Sequence, residues 1–108
     1  MNIIDTSLLA DRVNEGKPVD EDVSMISIIE YPMLAEYRHF HGKVLYPELA
    51  DLELARDIQK KLAARGRMKP GADLIIAATC LNTGKTLVTA DRDYEEISKV
   101  SGLKIVWE

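Results

Sequence analysis

The chain has 108 residues, of which 46% are hydrophobic, 30% charged and 6% aromatic. That length suits one domain with a modest core, and the balance of apolar and charged residues excludes a disordered tail. A formal net charge of -4 argues against a broadly basic nucleic-acid binder, while leaving room for a local basic rim around an acidic centre.

No stretch approaches the roughly 20 apolar residues of a membrane span, and no basic segment precedes an apolar one near the start. The expectation is a cytoplasmic protein without a membrane partner. Cys80 is the single cysteine, which excludes an internal disulfide, and no Cys/His group has zinc-like spacing.

In chain order, short apolar runs alternate with longer amphipathic ones, the pattern of βαβ units around a parallel sheet. Residues 2–4, 23–26, 44–46, 86–89 and 103–106 are predicted strands. Predicted helices lie between them, over 6–14, 27–40, 49–65, 72–82 and 92–100. Segment 49–65 carries Leu49, Leu52, Ala55, Ile58 and Leu62 as its apolar stripe, the mark of a surface helix packed on a sheet. Segment 72–82 is apolar on most sides and should be the buried helix, closed by Gly84. Cys80, Met33 and Trp107 are read as core residues or as cover for the last strand. There are no repeats, and nothing divides the chain, so residues 1–108 are expected to form a single domain.

Acids recur where these elements end. Asp5 follows the first strand, Glu30 the second after a short turn, Asp73 opens the buried helix, and Asp91 follows the fourth strand. In an open parallel sheet, ligands bind beyond the carboxyl ends of the strands, so these four acids are candidates to converge. Each also has a local reason to exist. Asp5 suits an N-cap. Ser27 and Glu30 have the spacing of a capping box, although Pro32 would remove a hydrogen bond from a helix running past it. Asp73 complements a helix dipole, and Asp91 and Asp93 suit a turn and a cap. Only their joint placement points to chemistry. Converging carboxylates need a cation, and hard oxygen donors favour Mg²⁺ or Mn²⁺, whose usual task is to activate water against a phosphoryl group.

The segments IIDTSLL, SMISIIE, GADLIIAATCLNTGKTLVTADRDYEEI and GLKIVWE together resemble the PIN-domain ribonuclease family, most closely its VapC-type toxins. The likeness runs through the chain in order, and the third segment is its most specific part. It implies an α/β, Rossmann-like three-layer fold whose parallel strands run in the order 3-2-1-4-5. It also implies an acidic pocket holding Mg²⁺ or Mn²⁺ through Asp5, Glu30, Asp73 and Asp91. Thr6, Ser7 and Thr89 match the family's supporting hydroxyl residues. Asp93, just before Tyr94, is the alternative for the fourth acid, with Asp91 favoured. Asp5 and Glu30 stand only 25 positions apart, so the domain looks shortened between its first and second acidic motifs.

The resemblance implies a metal-dependent endoribonuclease acting on single-stranded RNA, the toxin of a pair with a VapB-type antitoxin, and a homodimer. Arg65, Arg67 and Lys69, ahead of Asp73, are candidate RNA contacts, with Arg38, Lys43 and Arg92 behind them. Each is equally well a solvated surface charge. A rival reading keeps the fold but makes it a non-catalytic PIN-like binding module. A phosphatase with a nucleophilic Asp is disfavoured because Asp5-Thr6-Ser7 lacks the Asp-x-Asp pattern, and no Gly-rich nucleotide loop is present.

Overall fold

A computed structural model describes residues 1–108. The first strand, β1 (Asn2–Ile4), runs straight into α1 (Thr6–Asn14). Next come β2 (Val23–Ser24), α2 (Met25–Glu30) and a 3₁₀ helix over Pro32–Glu36. Then follow β3 (Val44–Leu45), α3 (Leu49–Ala64) and α4 (Gly71–Thr83). The chain finishes with β4 (Thr86–Thr89), α5 (Asp93–Ser101) and β5 (Ile105–Trp107).

All strand pairs are parallel. β4 lies between β1 and β5, with Ile3 opposite Leu87 and Thr89 opposite Trp107, whereas β2 pairs only with β3. The expected order 3-2-1-4-5 is met in part. Its two pieces touch through one bridge, Ile3 to Asp22, where Ile4 N–H donates to Asp22 O and Asp22 N–H to Asn2 O, each at 3.0 Å.

Two cores follow from the alternation of side chains along the strands. Ile3 and Leu87 join Ala55, Ile58, Leu62, Leu74, Ala77, Tyr94 and Ile97 from α3, α4 and α5. Ile4 and Val88 point the other way, into Leu8, Leu9, Val19, Val23, Ile28 and Leu34. Cys80 is fully buried as expected, and burial pushes its thiol up to about 12.

Four local readings need correction. The helix expected over 27–40 ends at Glu30, because Pro32 cannot continue it and instead begins the 3₁₀ turn. Ser24, not Ser27, caps that helix by accepting from Ile26 N–H, so Ser27 and Glu30 form no capping box. With the helix cut short, Met33 is exposed rather than core. On α3 the buried face is Asp51, Ala55, Ile58 and Leu62, which leaves Leu49 and Leu52 in solvent.

Asp51 is the unexpected member of that face. It is buried, and accepts from Glu48 N–H at 3.0 Å, Thr79 Oγ1 at 2.9 Å and Asn82 Nδ2 at 2.7 Å, which ties α3 to α4. Burial alone would raise its pKa, but these three donors outweigh it and hold the carboxyl below the usual range. Asp22 does the same for the sheet, taking Lys43 N–H at 2.9 Å and the Lys85 ammonium at 2.6 Å.

Candidate metal centre

Asp5 ends β1 because the backbone pairing with β4 continues one residue further: its N–H donates to Val88 O at 2.9 Å. It is also the N-cap of α1, accepting from Ser7 N–H at 3.4 Å. The capping role and a place in the site are therefore compatible. The side chain is 3% exposed, and two hydroxyls fix it. Thr89 Oγ1 donates to Oδ2 at 2.9 Å, and the Tyr94 hydroxyl to Oδ1 at 3.1 Å.

Tyr94 carries the site toward α4. Its ring is fully buried in the larger core, and Asp73 Oδ1 stands 3.4 Å from the same hydroxyl. Burial, together with Asp5 and Asp73, lifts the phenol well above its ordinary value, so it stays a proton donor. Asp73, in the first turn of α4, is pushed up to about 6, first by burial and then by the charges of Asp5 and Asp91.

The third group comes from the turn after β4. Thr89 Oγ1 accepts from Asp91 N–H at 2.9 Å, and Asp91 Oδ1 accepts from Asp93 N–H at 2.9 Å. One threonine thus orients Asp5 through its proton and Asp91 through its lone pair. Carboxylate oxygens of Asp73, Asp91 and Asp93 lie within 4.8 Å of one another. Asp91 and Asp93 both face this point.

Glu30 is exposed and stands outside that trio. The Thr6 hydroxyl donates to its Oε1 at 2.7 Å and lies 2.8 Å from Ser27 Oγ. Ser7 Oγ is 3.5 Å from Thr89 Oγ1. The basic residues ahead of Asp73 turn toward α5: Lys69 Nζ meets Glu96 at 2.8 Å and Asp93 at 3.4 Å, while Arg67 meets Glu96 at 3.5 Å. Arg65 is exposed at the end of α3.

Donor chemistry decides what such a centre can hold. All ligand atoms offered are hard carboxylate oxygens, and burial first, then the charges of Asp5 and Asp91, make the ionised form of Asp73 costly without a cation to offset them. That combination fits Mg²⁺ or Mn²⁺. Tyr94 is the member that sequence reading missed; its one signal was its place directly after Asp93.

No helix is long and apolar enough to cross a membrane. No curated protein matches the chain by sequence. Among solved structures, the fold is similar to a chain of the VapBC-5 toxin-antitoxin system from Mycobacterium tuberculosis, with TM-score 0.77, 16% identity and coverage of 99% of this chain and 98% of that one. It is also similar to a chain of VapBC2 from Rickettsia felis bound to promoter DNA, with TM-score 0.76, 12% identity and coverage of 98% and 97%. A third likeness is to FitAcB from Neisseria gonorrhoeae, with TM-score 0.75, 17% identity and coverage of 97% and 96%. The family model described as PIN domain matches residues 34–100, a span that includes Asp73, Asp91 and Asp93, and the chain belongs to the PIN domain family.

Proposed function

We propose that this protein is a metal-dependent endoribonuclease that cleaves single-stranded RNA. The observation that carries the reading is the convergence of Asp73, Asp91 and Asp93 within 4.8 Å, beside the buried Asp5, in a chain of this family. Its structural neighbours come from toxin-antitoxin complexes. That supports the toxin of a VapBC-type pair with a VapB-type antitoxin as partner; a homodimer as the working form rests on the family resemblance alone. Residues 1–108 act as a single PIN domain, shortened between Asp5 and Glu30.

Asp73, Asp91 and Asp93, with Asp5 beside them across the Tyr94 hydroxyl, would hold Mg²⁺ or Mn²⁺, and Glu30 stands at the margin. When bound, the ion lowers the pKa of water and offsets the charge that grows on the phosphoryl oxygens. The protein's own part is orientation. Thr89 and Tyr94 fix both oxygens of Asp5, so the site does not have to reorganise on loading. Thr6 fixes Oε1 of Glu30. Its Oε2 is thereby left free to orient the attacking water and take its proton.

Purified protein, freed of any co-purified antitoxin, is incubated with short single-stranded RNA and Mg²⁺ or Mn²⁺, beside Asp5→Asn. Cleavage should require the ion and fall about a hundredfold or more in the variant. Equal cleavage by both proteins, or none by either, sinks the catalytic assignment; the second result, with RNA still bound, favours the non-catalytic module.

A further inference from the structure

The cations nearest the acidic centre are already paired: Lys69 meets Glu96 and Asp93, and Arg67 meets Glu96. Elsewhere Arg12 is shared by Glu21 and Glu108, and Lys85 holds Asp22. Arg92 is different. It lies between Asp91 and Asp93 in sequence yet forms an ion pair with neither, although both carboxylates are adjacent in the chain. Its guanidinium carbon sits instead over the Trp107 ring, 4.4 Å from the centroid.

Both halves of that pair are anchored to the site. Arg92 is the N-cap of α5, one residue beyond Asp91, whose N–H is held by Thr89. Trp107 is directly opposite Thr89 in the parallel ladder, and Glu108 N–H donates to Thr89 O at 3.1 Å. The backbone of Trp107 therefore lies about one strand spacing, roughly 4.8 Å, from that of the threonine that orients Asp5. Trp107 is 38% exposed, and Arg92 is exposed as well.

A guanidinium whose carbon sits over an indole, with no carboxylate partner, keeps its N–H donors free to grip a phosphate at two points. The part-exposed indole also offers a surface to a base, since unpaired bases stack on aromatic rings and on arginine. We propose that Arg92 and Trp107 form the substrate-holding lip of the acidic centre, taking one nucleotide of single-stranded RNA, phosphate on the guanidinium and base against the indole. This rests on the ribonuclease reading. The lip supplies the attraction for phosphate that a cluster of carboxylates lacks.

Trp107 is the only tryptophan, so its fluorescence reports this spot alone. In the uncleaving Asp5→Asn protein, with Mg²⁺ present, short single-stranded RNA should quench it to saturation, and added salt should weaken the effect. Affinity for labelled RNA should fall about fivefold to tenfold in Arg92→Gln and likewise in Trp107→Leu, each made in that background. Absence of quenching, or unchanged affinity in Arg92→Gln, overturns the proposal, and these two readouts decide even if Trp107→Leu fails to fold. Failure of the parent reading looks different. Quenching without cleavage by the unsubstituted protein supports the lip and removes the nuclease. Cleavage with the same KM in Arg92→Gln keeps the nuclease and removes the lip.

Discussion

Between about pH 3.8 and pH 6 the Asp73 carboxyl keeps a proton in the folded chain that the unfolded chain has released. The native state then binds more protons, so Asp73's contribution to stability falls as the pH rises through that window and stays low above it. The gap in urea midpoint between metal-free wild type and Asp73→Asn should be near zero at the lower end, widen to about pH 6 in favour of the variant, then level off. A constant gap would mean that Asp73 is not strained by its neighbours. Other residues explain why some of the site is hidden in the sequence. Asp5, Asp73 and Asp91 are legible because each sits at the boundary of an element, where local spacing has meaning. Tyr94, 89 positions from the carboxylate it holds, carries no local signal beyond its place directly after Asp93. The same is true of Asp51, whose partners lie 28 and 31 positions away.

Elements were legible where one periodicity was undisturbed. β1, α1 and β4 fall on the expected residues, since each is bounded by a cap or a glycine turn. α2 was overextended because its apolar pattern runs past the point where Pro32 stops the backbone. α3 was placed correctly but rotated: the spacing 51, 55, 58, 62 outcompetes 49, 52, 55, 58, 62 once Asp51 finds three donors. Gly42 is the connection whose role is steric. A Cβ there would lie 1.9 Å from Glu21 O, so the segment entering β3 can pass the one entering β2 only without a side chain. Gly42→Ala should cost about 1–3 kcal/mol by urea denaturation, through backbone displacement rather than through any lost contact. An unchanged midpoint would show that the two segments can separate freely.

At the scale of the whole molecule the alternation of strands and helices gave the architecture, while the narrowness of its middle escaped notice. β1 meets the β2–β3 pair at a single bridge, and each side has its own core. Amide hydrogen exchange should therefore show the β2–β3 half opening at lower free energy than β1, β4 and β5, with Val23 exchanging before Leu87 and Val88. Simultaneous exchange of both halves would instead indicate one cooperative unit. The hydroxyls of Thr89 and Tyr94 have a last effect. Because neutral donors and not lysines hold Asp5, that carboxylate is shaped without being discharged, and Lys69 reaches only Asp93, in a chain that is already negative overall. On the ribonuclease reading this imposes an order of events. Until a cation is held, the centre turns RNA away, and the supply of divalent ions decides when the protein is armed.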